Sequence, residues 1–231
     1  MNYAKYNPIE VNLATVVVKA LILGAIFSAN AILALFNHLD IISTPLQLHY
    51  YLMFWCIFHT LEFVTTCLFN NSQVDDDSFI LEDWDIHSMN ILCISEFAIR
   101  WYWWSQNPWK ITWYAVGLVA LGQICRTLAM YTASESFNHY IQREHNEKTH
   151  QLVTTGIYSV LRHPSYFGFW WWFVGLQLFM NNTVTFAVGG YVLWNFFNKR
   201  IQFEEGFLVK FFKDAYIDYR KRTITGIPFI K

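Results

Sequence analysis

Arg162 and His163 stand directly before Pro164 and a nearly unbroken apolar run, in "YSVLRHPSYFGFWWWFVGLQLF". After a second apolar run, Glu204 and Glu205 occur side by side in "WNFFNKRIQFEEGFLVKFF". A helical hairpin formed by the two runs brings its ends together. Two bases, two acids and the phenols of Tyr158 and Tyr166 then share one membrane boundary. Such charges are costly to bury unpaired, and ionisable groups at the edge of an apolar bundle mark function by default. The planar fork of Arg162 suits a carboxylate held through two hydrogen bonds. Taken singly, each group has a plainer reading. Arg162 is a positive-inside anchor, Glu204–Glu205 the solvated start of a cytosolic helix, Pro164 a helix start, and Trp170–Trp171–Trp172 interfacial or packing aromatics. The site rests on their occurring together.

The elements that must position these groups are apolar helices. Of 231 residues, 55% are hydrophobic and only 14% charged, well below the ~25% charged residues of soluble domains. Aromatics make up 19% of the chain, with 11 Trp, a bias that suits many membrane–water boundaries. A net charge of −1 provides no basic surface for nucleic acid, which is set aside as a partner. The four cysteines lie in apolar segments without CxxC spacing and read as buried thiols, with no metal site. No cleavable signal peptide is expected, because the first apolar stretch is too long for one.

Apolar segments are expected over residues 11–36, 46–69, 86–105 and 111–131, then a short pair over 166–180 and 183–198 broken by Asn181–Asn182. The fold class is therefore all-α, a polytopic membrane bundle of about six segments with a short C-terminal hairpin and a cytosolic cofactor-binding cap. Residues 1–131 form the membrane region and 132–231 the catalytic region. Each hairpin arm, at about 15 residues, is only ~22 Å long, less than the hydrocarbon core, so it is either a tightly packed spanning pair or a re-entrant one. Lys5, Arg143, Lys148, Arg162 and the eight basic residues from 199 to 231 fall on one side, and little beyond Lys110 on the other. The positive-inside rule makes the first side cytosolic, with both termini there. The acidic 70–85 loop reads as solvated. His59 and Glu62, and Glu96 and Arg100, share helix faces. Arg126 has no charged neighbour on its own segment and is expected to pair with Glu96 or Glu62. Nucleotide, zinc-protease and hydrolase-elbow signatures are missing from the sequence.

The stretches "LVTTGIYSVLRHPSYFGFWWWFVGLQL", "GQICRTLAM", "SFNH" and the tail ending "GIPFI" resemble the isoprenylcysteine carboxyl methyltransferase family. RHPxYxG alone also occurs in membrane phospholipid methyltransferases and sterol reductases; the combination narrows it. The resemblance is strong over the C-terminal half and weak over the first hundred residues, and the length fits the short, six-segment members. It implies an endoplasmic reticulum enzyme that moves a methyl group from S-adenosylmethionine to the C-terminal carboxylate of a farnesylated or geranylgeranylated cysteine. Its partners are prenylated CaaX-type proteins or peptides and membrane lipid. By this resemblance Arg162 holds the substrate carboxylate, and Glu204 and Glu205 orient Arg162 and bind polar groups of the cofactor. The cofactor wall comprises His150, Leu152, Val153, Gly156 and Tyr158 on one side and His163, Pro164, Tyr166 and Gly168 on the other, with Gln142 and His139 as weaker candidates. Arg126, Trp170 and Trp194 are candidates near the substrate, Arg126 more readily as a structural ion pair. A phospholipid methyltransferase is the alternative, and a catalytically silent scaffold a further one. Prenyl-length preference and oligomeric state are not encoded in these motifs.

Overall fold

The computed structural model describes residues 11–104, 113–137 and 151–231. Lys5, Lys110, Arg143 and Lys148, which enter the orientation argument, lie outside these residues, as do His139, Gln142 and His150. Among the described residues, seven α-helices follow one another: α1 (Leu13–His38), α2 (Leu46–Phe69), α3 (Trp84–Trp104), α4 (Trp113–Ala133), α5 (Pro164–Met180), α6 (Thr183–Phe212) and α7 (Asp214–Arg222). Among the described residues, α1, α2 and α4 are the helices long and apolar enough to cross a membrane. The segment expected over 86–105 forms α3 but carries Asp85, Glu96 and Arg100, which lower its apolarity.

Local chemistry sets the ends. The Asn12 side chain accepts from the Ala14 and Thr15 amides and starts α1. Pro164 occupies the first turn of α5, where its missing N–H costs nothing. Asn181 takes a left-handed conformation (φ 56°) and turns the chain into α6. The first amides of α6 find their acceptor on another helix. Glu96 of α3 accepts from Val184 N at 2.8 Å, Thr185 N at 2.7 Å and Thr185 Oγ1 at 2.6 Å.

Two expectations are corrected here. α6 does not stop near Asn198 but runs 30 residues to Phe212, because no proline or glycine interrupts "NKRIQFEE". The glutamate pair therefore sits within a helix that also forms the hairpin. The 70–85 loop is not simply solvated. Val74, Ser78 and Phe79 are buried, Phe79 stacks on Phe63 with centroids 4.1 Å apart, and its carbonyl lies 2.7 Å from His59 Nδ1. Lys19 of α1 ties the loop down through Glu82 at 2.7 Å and the Asp76 carbonyl at 2.6 Å.

The closest helix pair is α4 with α5. A Cβ on Gly168 would lie 2.6 Å from Gly122 O and 2.7 Å from Arg126 N, so the two backbones touch. Around this contact Phe58, Phe97, Val119, Trp172, Leu176 and Phe179 form the main apolar core. The tail after α7 returns to the hairpin. Leu161 and Ile224 form an isolated parallel bridge, and the Trp171 and Trp194 indoles donate to the Gly226 and Pro228 carbonyls at 3.2 and 2.8 Å.

Candidate active site

Arg162 ends the segment that leads into α5. Its backbone amide donates to Ile224 O at 3.0 Å, which fixes where its side chain begins. Nε then donates to Glu205 Oε1 at 2.6 Å and Nη1 to the Thr223 carbonyl at 3.0 Å. His163 Nε2 is 3.2 Å from the same Glu205 oxygen, and Arg220 Nε of α7 is 3.2 Å from the other. Glu205 is thus buried among three basic groups. Burial raises its pKa, but the His163 and Arg162 hydrogen bonds outweigh that and hold it at about 2.

Glu204 faces a different way. Its side chain is 28% exposed, against 6% for Glu205. It accepts from Tyr166 Oη at 2.7 Å. Arg200 Nε donates to that same hydroxyl at 2.8 Å, and its guanidinium lies 5.6 Å from the Tyr166 ring centroid. The Tyr166 ring in turn stacks on His163 at 5.5 Å. The Tyr158 phenol stays protonated, because burial and then the Glu204 charge push its pKa up.

A cavity of about 780 Å³ opens beside these groups. Of the residues singled out from sequence, Leu152, Val153, Tyr158, Arg162, His163, Pro164, Tyr166, Glu204 and Arg126 line it. Glu205 stands behind Arg162 and does not. Gly156, at φ 56° against the Thr132 side chain, serves a turn away from the cavity wall. Gly168 serves the α4–α5 contact. Trp170 is buried in the core cluster of Phe197 and Ile201, and Trp194 holds the tail. Arg126 pairs with Glu62, not Glu96: its Nε and Nη2 both donate to that carboxylate, Nη2 at 2.9 Å, and Nη1 donates to Ser165 Oγ at 3.1 Å.

Arg200 and Tyr219 also line the cavity and were missed from sequence; Trp172, read there as an interfacial or packing aromatic, lines it too. Arg200 had a signal. It lies four residues before Glu204, on the same face once α6 is known to continue. The expectation that the helix ends near Asn198 hid it.

Long apolar helices that turn large hydrophobic side chains outward, joined to a cavity with a charged rim, define a multi-pass membrane enzyme as the class of this protein. The isoprenylcysteine carboxyl methyltransferase (ICMT) family profile matches residues 115–210. The chain is 40% identical over 183 residues to the protein-S-isoprenylcysteine O-methyltransferase of Saccharomyces cerevisiae, covering 75% of this chain and 76% of that one. It is 35% identical over 238 residues to the enzyme of the same name from Rattus norvegicus, covering 98% and 78%. The solved structure of a eukaryotic intramembrane Ras methyltransferase ICMT superposes with a TM-score of 0.83 at 29% identity, over 94% of this chain and 77% of that one. The chain belongs to the isoprenylcysteine carboxyl methyltransferase family. Membership makes it a methyltransferase and calls for a methyl donor.

Proposed function

We propose that this protein transfers a methyl group from S-adenosylmethionine to the C-terminal carboxylate of a farnesylated or geranylgeranylated cysteine. The reaction is placed at the cytosolic face of the endoplasmic reticulum membrane, with both termini on that face. The substrates are prenylated CaaX-type proteins and peptides. The observation that carries this reading is one cavity with two kinds of wall. At one end stand Arg162, Arg200, Glu204 and Tyr158; beyond them the wall is Phe169, Trp172 and Phe173. A lipid with a charged end needs both.

The residues present fit the cofactor. The Glu204 carboxylate and the Tyr158, Tyr166 and Tyr219 rings offer the negative charge and π-faces that a sulfonium cation favours. When bound, S-adenosylmethionine supplies an electrophilic methyl group on a positively charged sulfur. Arg162 keeps donors beyond the two taken by Glu205 and Thr223 and presents them to the substrate carboxylate. That carboxylate is ionised at neutral pH, so no general base is required. Glu205, through its three basic contacts, positions Arg162 and does not touch the cavity. The chain's contribution is alignment and exclusion of water.

The test is radiolabelled methyl transfer to N-acetyl-S-farnesylcysteine set against phosphatidylethanolamine. Transfer to the first and not the second is expected. The reverse outcome would make the protein a phospholipid methyltransferase, and labelling of neither would favour a silent scaffold.

A further inference from the structure

The cavity continues well past the charged groups. Along α5 its wall is a single stripe, Tyr166, Phe169, Trp172, Phe173 and Leu176, and it ends at Gln177. Eleven helical residues at ~1.5 Å each make this stripe ~16 Å long. Val192 and Phe196 of α6 line the cavity too, yet are 52% and 50% exposed, so the wall there is open toward the bilayer.

The far end is polar and closed. Tyr51 Oη of α2 donates to Asn90 Oδ1 of α3 at 2.6 Å. Asn182, at the hairpin tip, donates through Nδ2 to the Cys93 carbonyl at 2.9 Å, with Cys93 Sγ at 3.1 Å and Gln177 Oε1 at 3.4 Å. Its backbone amide donates to Gln177 O at 2.9 Å. Tyr51, Cys93, Gln177 and Asn182 are each no more than 3% exposed. An apolar tail gains nothing against such groups, and displacing them leaves buried donors and acceptors without partners.

We propose that this polar floor is a chain-length gauge for the prenyl group; the proposal rests on the prenylcysteine reading above. An isoprene unit contributes four main-chain bonds of about 1.5 Å, or roughly 5 Å when extended. Three units fill the apolar stripe. The fourth unit of a geranylgeranyl chain reaches the floor formed by Tyr51, Asn90, Cys93 and Gln177, where it must coil back or press on amide and phenol groups. The floor therefore sets the relative use of the two lipids, while the charged end treats them alike.

The experiment measures kcat/KM of the full-length protein in lipid nanodiscs with N-acetyl-S-farnesylcysteine and N-acetyl-S-geranylgeranylcysteine. It compares the unaltered chain, Gln177→Leu, and the double variant Tyr51→Phe/Asn90→Leu, which removes both partners of one hydrogen bond. Each variant is expected to raise the geranylgeranyl-to-farnesyl ratio about three- to tenfold, with the change carried by the longer substrate. An unchanged ratio in both overturns the gauge. Should Gln177→Leu not fold, the double variant decides alone. If the unaltered chain labels neither analogue, the enzymatic reading falls and the gauge with it. Transfer to both with ratios that no floor variant moves removes only the gauge.

Discussion

Neutralising the two adjacent glutamates one at a time should separate their roles. Glu205→Gln leaves Arg162, whose side chain is 4% exposed, without its anionic partner. Breaking a buried pair from one side costs about 3 kcal/mol or more. The pKa gives the same scale independently: the drop from 4.5 to about 2 corresponds to about 3 kcal/mol in favour of the ionised form. At roughly 3 °C per kcal/mol for a chain of this size, the melting temperature should fall by about 10 °C. Methyl transfer should fall with it, since Arg162 loses its orientation. Glu204→Gln removes one hydrogen-bond acceptor at a part-exposed site, a loss of about 1 kcal/mol, yet it takes away the carboxylate that faces the cavity. Turnover should drop at least a hundredfold with melting lowered by only about 3 °C. A fluorescence melt in detergent and the labelled-methyl assay read both quantities. The pH dependence supplies a second arm. Because Glu205 is depressed when folded, its contribution is complete above about pH 4.5 and is lost as the pH falls toward 2. Below pH 4.5 the unaltered protein should lose melting temperature faster than Glu205→Gln. Equal destabilisation by the two single variants, or parallel pH curves, would refute the division of labour.

Gly168→Ala puts a Cβ 2.6 Å from Gly122 O and 2.7 Å from Arg126 N; neither backbone atom can swing away, so α4 and α5 must part. A loss of about 1–3 kcal/mol is expected, read as lower melting, and a variant that melts like its parent would mean the contact is looser than described. Arg126→Met strands Glu62, which is 1% exposed, and should cost about 3–5 kcal/mol. Adding Glu62→Leu should recover more than half of that, and failure to recover would show that the ion pair is not the reason for the loss.

The helices were legible because their apolar runs are long and bounded by proline, asparagine or charge. The residues 46–69 coincide with α2. The meeting of Arg162 with Glu205 was legible for a topological reason, since two runs separated by Asn181–Asn182 must fold back. Other features depend on partners remote in sequence. Glu96 was visible as an ionisable residue on a helix face, but its capping of α6 depends on the crossing of α3 over the hairpin tip. The split between Glu204 and Glu205 follows from helical phase within α6, which an apolar run ending near Asn198 does not reveal. Gly156 and Gly168 were visible as glycines but not as a left-handed turn and a helix contact, because the neighbours that make them so, Thr132 and Gly122, are set by tertiary packing.

The Thr223 carbonyl on Arg162 also bears on how the protein is made. Arg162 leaves the ribosome 43 residues ahead of Glu205 and 61 ahead of Thr223. Until those residues have been made, the Arg162 guanidinium has neither its carboxylate nor its carbonyl partner. A chain ending before Thr223 would keep the Arg162–Glu205 ion pair but lose the carbonyl that takes up Nη1.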